Sequence, residues 1–461
     1  MQKALLYKTL IVGLMMLVIG IPLAMIGNLI SERQQRQAEA VRDIANSYAG
    51  AQRLAGPVLV LPYTETFTVE DWETDSDGQR RKREVSKRIE RRLTMLPGEL
   101  RIGGEIQTNT KQRGLFKALI YAWQSQIDGS FQLPEKQPFE RTRADSTITW
   151  GEAFLAIGLG DTRGVSGTPE LEWNGRKLSF ERDSRIPSLG TGMHAPLGII
   201  EPGKAMSIPF HVDLSLRGTE QLSITPLADT NRIELASAWP HPSFGGRFLP
   251  DAQTQEIGPQ GFRAIWNISA LASNAGPQFL KSLEAGDKCA PACLETLDLR
   301  LVEPVNIYTQ SDRALKYGFL FVGLTFAAFF LFEIMKRLPI HPAQYFLVGL
   351  SMAMFFLLVL SLSEHIEFWL AYLAAASASV VLIGYYLIYV LKSVWRGLGF
   401  GSMLGLLFAT LYGLLASEDN ALIMGSVLLF GLLTAAMIAT RKLDWYRLGG
   451  TEPRGLDTIV G

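Results

Sequence analysis

The stretch TLIVGLMMLVIGIPLAMIGNLI, residues 9–30, decides the architecture of this 461-residue chain. Only Thr9 and Asn28 in it are clearly polar, and about 20 apolar residues are enough to cross a bilayer as a helix. A cleaved signal peptide usually has a shorter apolar core of about 7–15 residues, closely followed by a small-residue cleavage site. Ala38-Glu39-Ala40 resembles such a site but lies well past the run. We therefore interpret residues 9–30 as an uncleaved transmembrane anchor.

Five further apolar runs occupy the C-terminal third, and each is about long enough to span a bilayer as a helix. They cover residues 316–332, 343–362, 368–391, 398–416 and 421–440. The intervening residues have an ordinary soluble composition, so the sequence predicts a membrane protein with one large insert at 31–312. The formal net charge of +0 excludes the overall basic bias of a nucleic-acid-binding protein.

The charges that flank these runs predict the orientation. Basic and acidic flanking segments alternate, and cytoplasmic segments carry an excess of Lys and Arg. The basic segments contain Lys3, Lys8, Lys336, Arg337, Lys392, Arg396, Arg441, Lys442, Arg447 and Arg454, and the acidic ones contain Glu364, Glu367, Glu418 and Asp419. We expect a multi-pass membrane protein, with residues 1–8 and 441–461 in the cytoplasm and the insert in the periplasm or another extracytoplasmic space.

The insert is predicted to be a mainly antiparallel, sandwich-like β domain, built as one unit or two. Alternating strand-like runs recur through it, with Gly and Pro between them. The clearest hairpin is ELEWNGRKLSFE (170–181), because Asn174-Gly175 suits a type I′ turn. Residues 31–50 are expected to continue the first helix out of the membrane.

A charge run, EDWETDSDGQRRKREVSKRIERR (70–92), has two interpretations. The favoured one is a solvated hairpin at Asp77-Gly78, with Glu73 opposite Lys82 and Asp75 opposite Arg80. The alternative is a basic cluster that binds the phosphates of anionic lipid head groups or lipopolysaccharide.

The chain has two cysteines, Cys289 and Cys293, in DKCAPACLE. In an oxidising compartment we expect them to form a local disulfide. A metal site is the weaker interpretation, because no histidine lies nearby and two thiolates alone do not make a usual zinc site. No P-loop, G-x-S-x-G, H-E-x-x-H or dinucleotide-binding motif occurs. The sequence therefore predicts no cofactor, no metal and no catalytic residues.

The stretch WPHPSFGGRFLP (239–250) looks most like chemistry, because it holds Trp239, His241, Phe244 and Arg247 close together. Prolines on both sides of His241 restrict the backbone there. We interpret the stretch as a packed structural loop, with a ligand or partner surface as the alternative. Catalysis is least favoured, because no partner residue for the imidazole is evident.

In the membrane segments, the central parts of all six runs lack ionisable residues, which otherwise mark functional sites. Glu333 comes nearest, close to one end of its run, and is expected to pair with Lys336 or Arg337 at the interface. A coupling or proton-handling role is the alternative for Glu333.

Small residues at four-residue intervals predict close helix packing in the membrane. One row is Gly397, Gly401 and Gly405, and another on the preceding helix is Ala371, Ala375 and Ser379.

Several long motifs resemble the CreD family of bacterial inner-membrane proteins, described as cell envelope integrity proteins. They are GPVLVLPY (56–63), GDTRGVSG (160–167), SAWPHPSFGGRFLPD (237–251), YTQSDRALKYGFLFVGLTFAAFFLFEI (308–334), HPAQYFLVGLSMAMFFLLVLSLSEH (341–365) and LDWY (443–446). The resemblance implies a place in the gene set controlled by the CreBC two-component system, a role in envelope stress tolerance and a link to colicin tolerance. It implies no reaction, cofactor or catalytic residue.

Three functions follow as hypotheses. The first is a non-enzymatic envelope integrity protein whose partners are membrane lipids and the sensor kinase CreC or other envelope proteins, and not nucleic acid. The second is a lipid or amphiphile binding or transfer protein, which a dry cleft between the sheets would favour. The third is a membrane hydrolase, which would need clustered polar groups at the external membrane surface.

Overall fold

The computed structural model describes residues 2–74, 80–133, 135, 141–201, 205–285, 293–303, 306–336, 340–416 and 421–441. The chain divides into two compact units, one made of Met1–Arg36 with Val305–Gly461 and the other of Gln37–Pro304. The described helices are α1 Gln2–Ser47, α2 Ala275–Ala285, α3 Ile307–Lys336, α4 Pro342–Ser363, α5 Phe368–Val390, α6 Val394–Ala416 and α7 Ala421–Thr440.

The first unit contains the apolar helices. Among the described residues, five helices are long and apolar enough to cross a membrane: Tyr7–Ser47, Ile307–Ile334, Pro342–Ser363, Phe368–Val390 and Val394–Ala416. The helix α7 coincides with the last predicted apolar run, although several of its side chains lie outside the described residues. An N-terminal apolar helix, a central β domain and a C-terminal set of apolar helices are thus confirmed.

Local signals fix where these helices begin. At the start of α4, His341 Nδ1 accepts from the Ala343 amide at 3.2 Å, and Gln344 Oε1 accepts from the His341 amide at 3.1 Å. This reciprocal cap follows from the sequence HPAQ, with Pro342 in the first turn. The helix α3 begins at Ile307, before the apolar run predicted from residue 316, because Asn306 Oδ1 accepts from the Tyr308 amide at 3.0 Å and caps a polar first turn.

The second unit is the β domain. Its described strands are β1 Gln52–Thr74, β2 Arg80–Met95, β3 Glu99–Arg113, β4 Phe116–Leu133, β5 Thr147–Trp150, β6 Glu152–Leu159, β7 Val165–Trp173, β8 Arg176–Ser179, β9 Glu181–Arg182, β10 Gly192–Ile199, β11 Met206–Thr219, β12 Gln221–Thr225, β13 Thr230–Ser237, β14 Pro242–Gly246, β15 Glu256–Gly258, β16 Gly261–Ser269 and β17 Leu297–Leu301.

The strands form two sheets. The first has nine strands in the order β14-β17-β12-β1-β6-β10-β9, with β2 and β5 also paired to β1. The second has eight strands in the order β15-β16-β13-β3-β4-β11-β7-β8. The described pairs are antiparallel except β1 with β12 and β3 with β13, so the prediction of a mainly antiparallel domain is confirmed.

One hydrophobic core lies between the two sheets, as in a sandwich. Along β11, alternate residues from Ile208 to Leu216 are buried, while Asp213 and Ser215 point outward. This period of two follows from the alternation of side chains across a pleated strand. Trp123, Phe131 and Trp266 from the second sheet, each at most 1% exposed, pack with residues of the first sheet such as Leu155.

The first sheet is covered on its other face as well. Phe279 of α2 packs with Val58, Val60 and Phe154 in a separate buried cluster. As a result β6, in the centre of this sheet, is almost continuously buried and does not alternate.

The predicted turn at Asn174-Gly175 is confirmed. Asn174 and Gly175 have φ of 48° and 78° between β7 and β8, the positive values that a type I′ turn needs.

The charged hairpin is present, but the predicted pairing is wrong by one residue. Glu73 lies opposite Arg81 rather than Lys82. The register is continuous along β1 and β2, so the pairing at one end sets the pairing at the other. Near the other end, the pairs Leu59–Met95 and Leu61–Leu93 place apolar side chains on the core face. A slip of one residue would turn them to the other face. Asp75, Asp77 and Gly78 fall in the part of the chain that the structure leaves undescribed.

The predicted helical extension beyond the first apolar run is present, since α1 continues to Ser47. Within the β domain, Ile44 packs with Ala118 and Ile120 of β4, alongside Val41 and Tyr48. The end of α1 is therefore part of the folded domain.

Glu65 of β1 is fully buried, and its carboxylate accepts hydrogen bonds from the segment before β5. The amides of Thr142 and Arg143 donate to its Oε1 at 2.7 and 3.3 Å, and the Thr142 hydroxyl donates to Oε2 at 2.8 Å. The Arg91 guanidinium lies 3.7 Å from Oε2. Burial alone raises the pKa of Glu65, but the hydrogen bonds from Ser146, Thr142 and Arg143 outweigh it and lower that pKa to about 2.

The Glu65→Gln variant should unfold at a lower temperature than the wild type at pH 7. Because folding lowers the pKa of this carboxyl, its charge stabilises the fold above the ordinary value of 4.5, and that stability is lost as the pH falls toward about 2. The difference between variant and wild type should therefore shrink across that range. Tryptophan fluorescence during heating of the detergent-solubilised full-length protein measures it.

The matched control is Glu90→Gln, which changes an exposed glutamate on β2. It should leave the unfolding temperature nearly unchanged at every pH. A Glu65→Gln defect that stays constant between pH 4.5 and pH 2 would contradict this account.

Candidate functional site

A buried polar cluster joins three helices of the membrane unit at one end. Glu333 of α3 is 5% exposed. It accepts from the Lys8 ammonium of α1, and from the Tyr345 hydroxyl of α4 at 2.9 Å. The Ile340 amide also donates to it at 3.4 Å. A charge buried in this way requires a partner, and Lys8 of α1 provides it.

The same three helices meet in a second cluster at the other end of the apolar part of α1. Arg33 lies 3.4 Å from Glu364, the residue that ends α4. Tyr308, in the first turn of α3, donates to Glu364 at 3.2 Å. The Glu364 side chain is only 8% exposed.

Each cluster contains a basic residue from α1, a glutamate and a tyrosine, and α3 and α4 exchange the last two roles. In the first, α3 gives the glutamate and α4 the tyrosine, and in the second α4 gives the glutamate and α3 the tyrosine. We call them the Lys8 triad and the Arg33 triad. Lys8 and Arg33 are 25 positions apart in α1, about 38 Å at about 1.5 Å per residue. That length exceeds the roughly 30 Å hydrocarbon core and falls just short of the whole bilayer, so both triads fit the head-group regions.

The predicted pairing of Glu333 with Lys336 or Arg337 stays a prediction, because the Lys336 side chain and Arg337 lie outside the described residues. The sequence reasoning missed Lys8 and Tyr345 as partners. The available signal was a basic residue near each end of the first apolar run, together with a glutamate at each end of the α3–α4 pair.

Glycines let α1 approach α3 and α4 between the triads. A Cβ at Gly349 would lie 2.7 Å from Phe326 and 2.8 Å from Ile19, and one at Gly323 would lie 2.6 Å from Met16. These contacts place bulky side chains of α1 directly on glycines of the other two helices.

Beside this contact, α1 and α4 leave a groove of about 530 Å³. Ten residues line it: Pro22, Met25, Ile26, Asn28, Leu29, Glu32, Leu350, Ala353, Met354 and Leu357. Asn28 and Glu32 are its polar members, and both lie toward the Arg33 triad. The groove is therefore apolar along its length and polar at one mouth.

The predicted glycine row packs α6 against α5, but through two of its three members. A Cβ at Gly397 would lie 2.9 Å from the Ile388 backbone. A Cβ at Gly401 would lie 3.7 Å from the Gly384 Cα, and one at Gly384 would lie 3.9 Å from the Gly401 Cα. Gly405 meets nothing within 4 Å among the described residues, and its packing role stays a prediction, because several side chains of the neighbouring α7 lie outside the described residues. Four residues turn a helix by about 400°, so the row drifts about 40° per step away from the contact.

In the β domain, Asp161 and Arg163 of the GDTRGVSG motif fasten the end of α1. Asp161 Oδ2 accepts from the Gly50 amide at 3.0 Å, and Arg163 donates to the carbonyl of Asn46. Gln52 donates to the Asp161 carbonyl at 3.0 Å. Hydrogen bonds from Arg163 and the Gly50 amide lower the pKa of Asp161 to about 2 against the effect of burial. This network is structural in character.

A cleft of about 700 Å³ opens at the edge of the sandwich. Its charged and hydroxyl side chains come from β9 of the first sheet and from the connecting segments, among them Thr162, Arg163, Arg182, Asp183 and Thr191. Such a cleft suits a polar solute better than an acyl chain.

The stretch 239–250 lies at the edge of the first sheet. Its central part forms β14, which pairs with β17. Phe244 packs edge-to-face with Phe262 and Trp266, with ring centres 5.7 and 5.5 Å apart. The Trp239 indole donates to the Val302 carbonyl at 3.1 Å, while His241 is exposed beside that ring.

Arg247 completes the predicted group, and it lies apart from His241. Its amide donates to the Thr296 carbonyl at 2.7 Å, and its exposed guanidinium lies 3.8 Å from Glu295. The stretch therefore packs through its aromatic rings and its backbone. No carboxylate approaches His241 in the described part of the chain.

Two other histidines do have carboxylate neighbours. His211 lies 2.7 Å from Asp128 and 3.3 Å from Asp213 on the outer face of the second sheet. Partial burial lowers the pKa of His211, but these two carboxylates outweigh it and raise that pKa. His194 is buried, with Nδ1 2.6 Å from the Asp183 carbonyl and Nε2 3.3 Å from Glu181.

Neither histidine belongs to a larger metal-binding group. Across the described ranges, no set of three or more His, Cys, Asp or Glu side chains could hold a metal ion. Cys293 is disulfide-bonded, and Cys289 lies outside the described residues, so the predicted pairing of the two stays a prediction.

Comparison with known proteins agrees with the motif resemblance. A family model described as "Inner membrane protein CreD" matches residues 4–446. The chain is also 34% identical over 438 residues to the Inner membrane protein CreD of Escherichia coli (strain K12), a match that covers 93% of this chain and 91% of that protein.

Replacing Gly397 with alanine should destabilise the membrane unit, because the new Cβ would meet the Ile388 backbone of α5. Overpacking of this kind typically costs about 1–3 kcal/mol. The loss is measured as a lower unfolding temperature of the detergent-solubilised protein.

Gly405→Ala is the matched control on the same helix, since nothing described lies within 4 Å of its added Cβ. It should be neutral or slightly stabilising, because alanine favours a helix over glycine by up to about 1 kcal/mol. Equal effects of the two substitutions would contradict the assignment of Gly397 to the α5–α6 contact.

Proposed function

The chain belongs to the CreD family of inner-membrane proteins, and from that premise we propose that it is a non-enzymatic protein that supports cell envelope integrity and stress tolerance. Its expression would belong to the CreBC regulon, and colicin tolerance would be one of its outward effects. Both termini would lie in the cytoplasm and the β domain in the periplasm.

The alternation of charged segments supports this orientation. Lys8 borders one end of the first span, Lys392 lies between α5 and α6, and Arg396 lies in the first turn of α6, on the side that the positive-inside rule assigns to the cytoplasm. Glu364 and Glu367 lie between α4 and α5, on the opposite side. The Lys8 triad would then face the cytoplasmic head groups and the Arg33 triad the periplasmic ones.

The observation that carries the proposal is the closely packed interior of both units. Trp123, Phe131 and Trp266 fill the space between the sheets, and glycine contacts with two triads hold α1 against α3 and α4. Such an arrangement suits a protein that acts through its surfaces and its position in the membrane. Partners would be membrane lipids and the sensor kinase CreC or other envelope proteins.

The polar outer face of the second sheet offers a surface for a protein partner. Directly paired residues form a row of charges across it, from Glu172 through His211, Asp128 and Arg101 to Arg232. Charges of both signs at fixed spacing favour a specific partner over a general electrostatic attraction.

Lipid binding or transfer is the second candidate function, and the groove between α1 and α4 is the observation that favours it. The support comes from the membrane unit rather than from the β domain, where the cleft at the sandwich edge has a charged lining.

A complementation experiment tests the proposal. A strain that lacks this protein should lose tolerance to colicin and to detergent stress, and the wild-type gene should restore it. Gly397→Leu should fail to restore it because the side chain cannot fit against Ile388, whereas Gly405→Ala should restore it fully. Unchanged tolerance in the deletion strain would overturn the proposed function.

The same strain separates the two candidates. Leu350→Trp fills the groove without touching the sandwich. Full restoration by this variant would favour the integrity role alone, and failure to restore, with normal membrane levels of the variant, would favour lipid handling.

A further inference from the structure

We propose that the groove between α1 and α4 binds one glycerophospholipid with a zwitterionic, phosphoethanolamine-type head group. This rests on and deepens the second candidate function, lipid binding at this groove, and it does not depend on the envelope role proposed above. The argument rests on the depth of the groove, on its walls and on the charges at its mouth.

The depth of the groove matches one leaflet. Its lining on α1 runs from Pro22 to Glu32, a separation of ten positions that corresponds to about 15 Å along the helix. This is half of the roughly 30 Å hydrocarbon core of a bilayer. Pro22 also lies between the two triads, 14 residues from Lys8 and 11 from Arg33, close to the middle of the membrane. The groove therefore extends from the bilayer centre to one interface.

The walls suit an acyl chain. Met25, Ile26 and Leu29 face Leu350, Met354 and Leu357 across the groove. Met25 and Met354 are 66% and 45% exposed, so the groove opens toward the surrounding lipid. Methionine side chains are flexible and adapt to irregular apolar partners, which allows chains of different length and saturation to fit.

The mouth carries both charges that a zwitterionic head group needs. Glu32 lines the groove and pairs with Arg36 at 2.6 Å, with both side chains about half exposed. An ammonium group fits the carboxylate and a phosphate fits the guanidinium, so one head group satisfies both. Asn28 lies one turn deeper on the same face, at the level of the glycerol esters, where its amide can donate to an ester carbonyl.

The neighbouring charges explain why an anionic lipid fits less well. Arg33 is already paired with Glu364 in the Arg33 triad, so Arg36 is the remaining cation next to Glu32 on this turn. A head group with a phosphate and no ammonium would leave Glu32 without a new partner and close to a like charge. The geometry therefore favours a zwitterionic head group over a purely anionic one.

Native mass spectrometry tests the proposal. The full-length protein is reconstituted in vesicles of equimolar phosphatidylethanolamine and phosphatidylglycerol, extracted in mild detergent and sprayed under conditions that remove loosely attached lipid. The wild type should keep one phosphatidylethanolamine. Leu350→Trp should lower its occupancy roughly tenfold through overpacking of the groove, while Leu373→Trp, on the exposed face of α5, should leave it unchanged.

The double variant Glu32→Gln with Arg36→Gln tests the head group. It should lower the preference for phosphatidylethanolamine over phosphatidylglycerol by about two- to fivefold, the range expected of an exposed ion pair. It should keep total lipid occupancy, because the acyl walls are unchanged.

Three results would overturn the proposal. They are a wild type that keeps no lipid, equal losses with Leu350→Trp and Leu373→Trp, which would indicate general surface lipid, and equal retention of the two lipids by the wild type. None of these results bears on envelope tolerance, so failure here is distinct from failure of the proposed function.

Discussion

Two ion pairs with buried glutamates, Lys8 with Glu333 and Arg33 with Glu364, set the position of the first helix. Each pair lies at one end of a span that has no charge in its apolar middle. Tyr345 of α4 donates a hydrogen bond to Glu333, and Tyr308 of α3 donates one to Glu364. Charges in an apolar environment are tolerated only when paired and hydrogen-bonded. A shift of α1 by one turn, about 5.4 Å, would separate both pairs at once, so the register of α1 is held from both ends.

The apolar packing follows from that register. Met16 and Ile19 of α1 lie on Gly323 and Gly349, where an added Cβ would come within 2.6 and 2.8 Å of them. The groove beside α4 has the same origin, because the contact is tight near the middle of α1 and open from Pro22 onward. In the β domain a separate network, Asp161 with Arg163 and Gly50, holds the last turn of the helix.

Much of this architecture is predictable from the sequence, because hydropathy, strand alternation and the Asn174-Gly175 turn are local signals. The long pair β3–β4 and the buried strand β6 were not singled out, since β6 is covered on both faces and does not alternate. The sequence analysis did not identify Lys8 as a partner of Glu333, because Lys8 is 325 residues away in the chain and helical spacing favoured the nearby Lys336 or Arg337.

The central claim is that the Lys8 triad holds α1 in register, and a charge exchange tests it most directly. Lys8→Glu and Glu333→Lys should each lower the unfolding temperature of the detergent-solubilised protein, because leaving one buried charge unpaired costs about 3–5 kcal/mol. The double variant with both changes restores opposite charges at the same place, so it should recover most of the lost stability. The claim would be contradicted if the double variant lost as much stability as the two single variants lose in sum.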